Sequence, residues 1–227
     1  MNIDTNIDKN TKEIHFWDMD HTIINNDCDV SWKDFLIARG LAKPDAQEKA
    51  EYFYQQYLKN TLDHNEFMDF QLIEFRNKTI DEINEMCQDH FESFVKKTIY
   101  PKAALAVKEL LDAGKEVCLL TATNDFIARP LSDYLDIPVT LGTNLEIIDG
   151  KFTGKTVGTY CGGLGKVEYI EKYCADKGYT DTDVYYYGDS KMDIAVMEKV
   201  KNPIACNPAE ALRERAEKES WTILDFA

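Results

Sequence analysis

Phe16-Trp17-Asp18-Met19-Asp20-His21-Thr22-Ile23 is the stretch from which the rest of the chain is best read. An apolar run, Ile14–Trp17, ends in two aspartates separated by one residue. As a buried strand it sends Asp18 and Asp20 off its carboxyl end on the same side, because strand side chains alternate with a period of two. Two carboxylates in one small pocket raise each other's pKa unless a cation or a shared proton lies between them. The stretch therefore predicts a strand end that recruits a metal, a proton or both.

Downstream, Trp32, Phe35 and Leu36 share one helical face, and that helix is expected to stop near Gly40. No glycine occurs from Leu41 to Ala113, and the region is rich in aromatics, from Tyr52, Phe53, Tyr54 and Tyr57 to Phe91 and Phe94. Ile80, Ile83, Cys87, Phe91 and Phe94 fall at helical intervals behind a Thr79/Glu82 capping box. Residues 25–97 thus read as an all-helical block. Pro101 then suits a first helical turn that ends at Gly114, and Val117-Cys118-Leu119-Leu120 reads as a strand buried on both faces and closing on Thr121.

A helix over residues 125–135 follows, then two strand-like runs joined by Asp149-Gly150, a strong hairpin signal. Gly158, Gly162, Gly163 and Gly165 lead into Lys166 and a helix over 167–175. This is not a G-x-x-x-x-G-K-[ST] phosphate loop, since Val167 stands where Ser or Thr is required. Strands are predicted at 184–187, 203–206 and 221–224, with a charged helix over 209–217. Strands alternating with helices predict an α/β fold with a Rossmann-like parallel sheet, residues 13–24 and 98–227, into which the helical block is inserted. Residues 1–12 are polar and read as a loose leader.

The formal charge of −15 argues against nucleic-acid partners, which are bound through Lys and Arg. No stretch approaches the roughly 18 apolar residues that a membrane span needs. Six scattered cysteines without a C-x-x-C pair read as free thiols of a cytoplasmic protein. A small phosphorylated metabolite can still bind where local cations and backbone N–H groups outweigh the global negative field, and oligomeric state does not follow from the sequence.

In open parallel sheets ligands sit outside the carboxyl ends of the strands. Asp18, Asp20, Thr121 and Asp189 all follow predicted strands, and Lys166 opens a helix, so the fold can bring them to one spot. Phosphoryl transfer needs such a set. Mg²⁺ takes oxygens from one or two carboxylates, here Asp18 and Asp189 with a main-chain carbonyl near Asp20. One carboxylate can attack phosphorus, the other can move the proton, and Lys166 and Thr121 can hold the phosphate oxygens. Thr123 competes with Thr121 for the hydroxyl role, and the position at the strand's end favours Thr121.

"FWDMDHTI", "VCLLTAT", the lysine of "GLGKVEYIEKY" and "YYYGDSKMD" resemble the four ordered motifs of the haloacid dehalogenase superfamily. The helical block resembles the cap of its phosphoserine-phosphatase-like branch. The resemblance implies a Mg²⁺-dependent phosphatase acting on a small organic phosphomonoester through an aspartyl phosphate. It implies Asp18 as nucleophile, Asp20 as general acid/base, Thr121 as the second-motif hydroxyl, Lys166 as the third-motif lysine, and Asp189 with Asp193 on the metal side, Asp193 orienting the metal's waters. The set implied around the metal is thus Asp18, Asp20, Asp189 and Asp193. His21 stands where the branch usually has Ser, and Met192 where it has Asn. In the cap, Asp27 or Asp29 can stand for a substrate-binding Glu, and Arg76 lies near the register of a substrate-binding Arg. A phosphoryl-transfer mutase of the same superfamily uses the same groups. A receiver-like phospho-acceptor protein does too, although it carries no inserted block after the first strand.

Overall fold

The computed structural model describes residues 12–59, 61–180 and 183–227. The expected leader therefore lies outside the described residues except for Lys12, whose ammonium donates to the main-chain oxygens of Lys177 and Gly178.

A six-stranded parallel sheet forms the core. β1 (Ile14–Trp17) lies at its centre between β2 (Glu116–Asn124) and β6 (Val184–Gly188), β3 (Val139–Thr143) flanks β2, and β7 (Asn202–Cys206) and β8 (Thr222–Leu224) continue beyond β6. All four residues of β1 are buried, as a strand covered on both faces requires. The period of two sorts the sheet's side chains between two cores. Trp17, Leu119 and Tyr187 pack on one face, and Phe16, Leu120 and Tyr186 on the other. His15 is accommodated in this apolar strand by stacking on Tyr185, centroid to centroid 4.5 Å, and by a 3.0 Å hydrogen bond with the Tyr187 hydroxyl.

The helices α5 (Pro101–Asp112), α6 (Asp125–Tyr134), α7 (Leu164–Lys177), α8 (Ile194–Met197) and α9 (Glu210–Glu219) connect the strands. β4 (Leu145–Ile148) and β5 (Lys151–Thr156) form a separate antiparallel hairpin. Its turn residues Asp149 and Gly150 both have positive φ, 50° and 75°, as a type I′ turn requires.

Between β1 and α5 comes the helical block: α1 (Cys28–Ala38), α2 (Ala46–Leu58), α3 (His64–Gln71) and α4 (Ile80–His90), with a π-helical turn at Phe91–Val95. Thr79 and Glu82 form the expected reciprocal capping box at the start of α4. The two chain crossings that join block to core run side by side, Asn25 N donating to Thr98 O at 2.8 Å and Tyr100 N to Ile23 O at 2.9 Å. The block's aromatic core, with Trp32, Phe35 and Phe75, is continuous with the Trp17 face of the sheet.

Two features differ from the sequence reading. The strand expected to close on Thr121 runs on to Asn124, whose side chain then caps α6 by accepting from Ile127 N. β3 is not foreseen, because its half-exposed Val-Thr-Leu-Gly-Thr sequence has neither a long apolar run nor a clear alternation.

Candidate active site

A cavity of about 570 Å³ opens between the carboxyl ends of the strands and the helical block, within the range of small-molecule sites. Asp18 lies at its floor. The Asp18 N–H donates to Tyr187 O at 2.9 Å, so β1 and β6 together set where the side chain leaves the sheet. One carboxylate oxygen accepts from Met19 N at 2.8 Å, and the other lies 2.8 Å from Lys166 Nζ.

Lys166 is the third residue of α7 and is buried. Its ammonium also lies 3.0 Å from Asp193 Oδ1 and 2.8 Å from the Tyr186 hydroxyl. Asp193 is held on both oxygens. Oδ1 takes Lys166 and Tyr186, and Oδ2 accepts from Ser190 N at 2.9 Å and Ser190 Oγ at 2.8 Å. Gly188 makes room for this carboxylate, since a Cβ there would lie 2.7 Å from Asp193 Cγ.

Asp18, Asp189 and Asp193 each place a carboxylate oxygen within 4.8 Å of the others, all buried. Asp20, whose main-chain carbonyl is the part expected at the metal, has its carboxylate engaged on the other side. Its Oδ1 accepts from Cys28 N at 2.9 Å and its Oδ2 from Thr123 Oγ1 at 2.9 Å, so Asp20 ties β2 to the first turn of α1. Thr121 also lines the cavity, its hydroxyl accepting from Thr123 N at 3.2 Å. Both threonines thus reach the site, and it is Thr123 that touches Asp20.

Electrostatics separate these acids. Burial, outweighing the pull of Lys166, pushes Asp18 up to about 6. Burial and the charges of Asp27, Asp29 and Asp18 hold Asp20 well above the usual carboxylate range, so it keeps a proton where an ordinary aspartate has lost it. Asp189 is likewise raised, by burial and by Asp193 and Asp18. Asp193 alone of the four is lowered. Burial opposes its charge, but Lys166, Tyr186 and Ser190 together outweigh it.

The remaining sequence-predicted residues separate clearly. His21 lines the cavity with φ at 55°, where the chain turns back; its carbonyl accepts from Asn207 Nδ2 at 3.2 Å. Asp27 caps α1 by accepting from Val30 N and also lines the cavity. Asp29 lies beside it, pushed up to about 8 by burial and then by Asp27. Arg76 is not brought to the cavity. Its half-exposed side chain lies against Gly154 of β5 and 3.7 Å from Asp69.

Three groups were not singled out from the sequence. Tyr186 holds Lys166 and Asp193 together; its side chain lies on the sheet face opposite that of Tyr187, so the alternation of β6 sets it apart from its neighbours. Ser190 caps the turn that carries Asp193, and the S-x-x-D spacing was the available signal. Tyr57, from α2, reaches across the cavity to donate to Ser190 Oγ at 3.3 Å. A second crossing is the stack of His64 on Tyr160, with centroids 4.3 Å apart.

Comparison with known proteins agrees with this geometry. The model of the haloacid dehalogenase-like hydrolase family matches residues 15–198. A histidinol-phosphatase of Neisseria meningitidis serogroup C is 32% identical over 95% of this chain and 99% of its own length. A Bordetella pertussis protein of unknown function has a similar structure, with a TM-score of 0.87 at 28% identity over 96% of this chain and 100% of its own. A substrate-bound phosphoserine phosphatase aligns with a TM-score of 0.69, covering 94% of this chain and 93% of that one; at 19% identity it speaks for the fold. With these motifs in order on this fold, the chain belongs to the haloacid dehalogenase-like hydrolase family and is an enzyme.

Proposed function

We propose that the protein is a Mg²⁺-dependent phosphatase that hydrolyses a small organic phosphomonoester through an aspartyl phosphate on Asp18. The observation that carries the reading is the Asp18 carboxylate at the cavity floor, 2.8 Å from Lys166 Nζ and within 4.8 Å of the carboxylates of Asp189 and Asp193. In the first step an Asp18 oxygen attacks phosphorus and the bond to the leaving oxygen breaks, while Asp20 gives that oxygen its proton. In the second, water attacks the phosphorus of the acyl phosphate, Asp20 takes a proton from it, and inorganic phosphate and the free Asp18 carboxylate are released. The elevated pKa of Asp20 suits a group that must start protonated. Lys166 and the Thr121 hydroxyl neutralise and hold the phosphate oxygens where negative charge gathers.

The donor set fits a hard divalent cation. Asp18 and Asp189 offer buried carboxylate oxygens, and Asp193, already bonded on both sides, orients what lies beside them. When bound, Mg²⁺ supplies positive charge against nucleophile and phosphate. Residues 25–97 are read as a lid over the cavity, with Tyr57 and His64 as its contacts with the floor. The family match sets aside the receiver-like alternative. Six buried thiols suit a reducing compartment, and the cytoplasm is the one proposed.

The test is phosphate release from an aryl phosphate and from histidinol phosphate, phosphoserine, phosphocholine and nucleotides. Turnover is expected to require Mg²⁺ and to fall at least about 10⁴-fold in Asp18→Asn. Full activity in that variant would remove Asp18 from the chemistry. In calorimetry, Mg²⁺ binding is expected to be lost in Asp189→Asn.

A further inference from the structure

An ammonium group has three N–H bonds to donate. Those of Lys166 are all spent within the protein: Nζ lies 2.8 Å from Asp18 Oδ2, 3.0 Å from Asp193 Oδ1 and 2.8 Å from the Tyr186 hydroxyl. Lys166 is 4% exposed, Asp193 1% and Tyr186 0%, so bulk solvent is shut out of the cluster. A phosphate oxygen that accepts from Lys166 must therefore displace one of these three partners.

The three differ in how readily they yield. Asp18 and Asp193, as carboxylates, meet the ammonium as opposite charges, whereas Tyr186 offers a neutral oxygen without that Coulomb attraction. The phenol also has a second bond to fall back on. It accepts from Lys166 through a lone pair and donates its single proton to Asp193 Oδ1. When Lys166 turns away, that outward bond remains, so no buried donor is stranded and the usual penalty for breaking a buried hydrogen bond does not arise. The second Asp193 oxygen stays with Ser190, whose N–H and hydroxyl lie at 2.9 and 2.8 Å. The ring itself is held in place: it packs on the sheet face of Phe16 and Leu120, and a Cβ on Gly188 would come within 2.9 Å of its Cε1.

We propose that Tyr186 is a positioning residue that holds the third N–H of Lys166 until phosphate takes it, and takes it back when phosphate leaves. By competing for Lys166, the phenol weakens the hold on inorganic phosphate, the product common to every monoester, and so favours its release. Tyr186 acts through Lys166 and touches no reacting atom. The inference rests on the phosphomonoesterase reading, in which Lys166 holds a phosphate oxygen, and adds a residue to it. Its sign is the reverse of what a purely structural hydrogen bond gives. Tyr186→Phe fills the same space but leaves one Lys166 N–H without a partner except when phosphate is bound, so phosphate should bind more tightly.

The experiment measures inhibition of p-nitrophenyl phosphate hydrolysis by inorganic phosphate in the presence of Mg²⁺, together with the rise in thermal unfolding midpoint that the same phosphate causes. Tyr186→Phe is expected to lower the Ki of phosphate at least about fivefold and to lower KM, while kcat does not rise. Without phosphate its midpoint is expected below that of the wild type, and a fixed phosphate concentration is expected to raise it further than it raises the wild type's. In a Lys166→Met background the same change is expected to shift Ki less than about twofold. An equal or higher Ki in Tyr186→Phe, equal phosphate-induced shifts, or an effect that persists without Lys166 overturns the assignment and leaves the phosphatase reading intact. The midpoint shift decides the matter even where the variant is inactive. Failure of the wild type to release phosphate from any probe, p-nitrophenyl phosphate included, overturns the phosphatase reading and the inference with it.

Discussion

The sheet and the helical block solve different problems with similar materials. Both use a capping box, Ser190/Asp193 in the sheet region and Thr79/Glu82 in the block. In the first, the Asp193 carboxylate is buried and lies 3.0 Å from Lys166 Nζ, so a local folding device also sets the charge at the cavity floor. The second lies at the surface, where it starts α4 and Thr79 bridges to Lys151 of β5. Each region also buries a histidine, His15 in β1 and His90 in α4, and burial lowers the pKa of both, to about 4 and about 3. The lesson is that the position of a motif relative to the strand ends, and not its type, decides whether it reaches the cavity.

Removing Lys166 should break the comparison most strongly. Lys166→Met leaves Asp18 and Asp193 buried without their cation, and kcat is expected to fall at least about 10²-fold. In metal-free protein the same change should destabilise by about 3 kcal/mol, read by denaturant unfolding. A variant with wild-type turnover would show that the buried ammonium is structural alone.

The histidines give a pH dependence whose sign is set by burial. A folded-state pKa below the unfolded value means that stability is present above pH 6.5 and is lost as pH falls toward the folded-state value. For His90, about 2 kcal/mol should be lost between pH 6.5 and pH 5. The substitution His90→Gln can keep the bond to Ser31, 2.9 Å in the native protein, without titrating. It should flatten that part of the curve, and an unchanged slope would assign the effect to His15.

Tyr57→Phe tests the contact between the two regions. Loss of its 3.3 Å bond to Ser190 should raise KM about threefold with little change in the unfolding midpoint. A fall in kcat at constant KM would place Tyr57 in the reaction itself. The smallest effect is expected for Thr79→Ala, which should cost about 1 kcal/mol of stability while turnover stays at the wild-type value.

The parallel sheet, the block and the hairpin were legible because each rests on local signals: apolar runs, helical spacing, capping pairs and Asp-Gly. β3 was not, since a half-exposed edge strand is held by pairing with β2 and carries little pattern of its own. Among site residues, Asp18, Asp189, Asp193 and Lys166 were readable from strand ends and ordered motifs, and they converge as expected. Arg76 was placed by register alone, and register within a helical block does not say which face meets the cavity.

Asp18-Met19-Asp20 shows where the division falls. The sequence by itself determined that two acids leave a buried strand together and that a lysine, a hydroxyl and more acids follow later strands, because side-chain alternation and chain order are local properties. Only the tertiary structure decided that the two acids face different partners. Asp18 lies against Lys166, and Asp20 against Thr123 and the first turn of α1, because those partners come from segments roughly 100 residues or more away or from a helix that the block itself positions. The side of the cavity that carries Asp27, Asp29 and Tyr57 belongs to the same class, since packing between helices, which no spacing encodes, brings it over the floor.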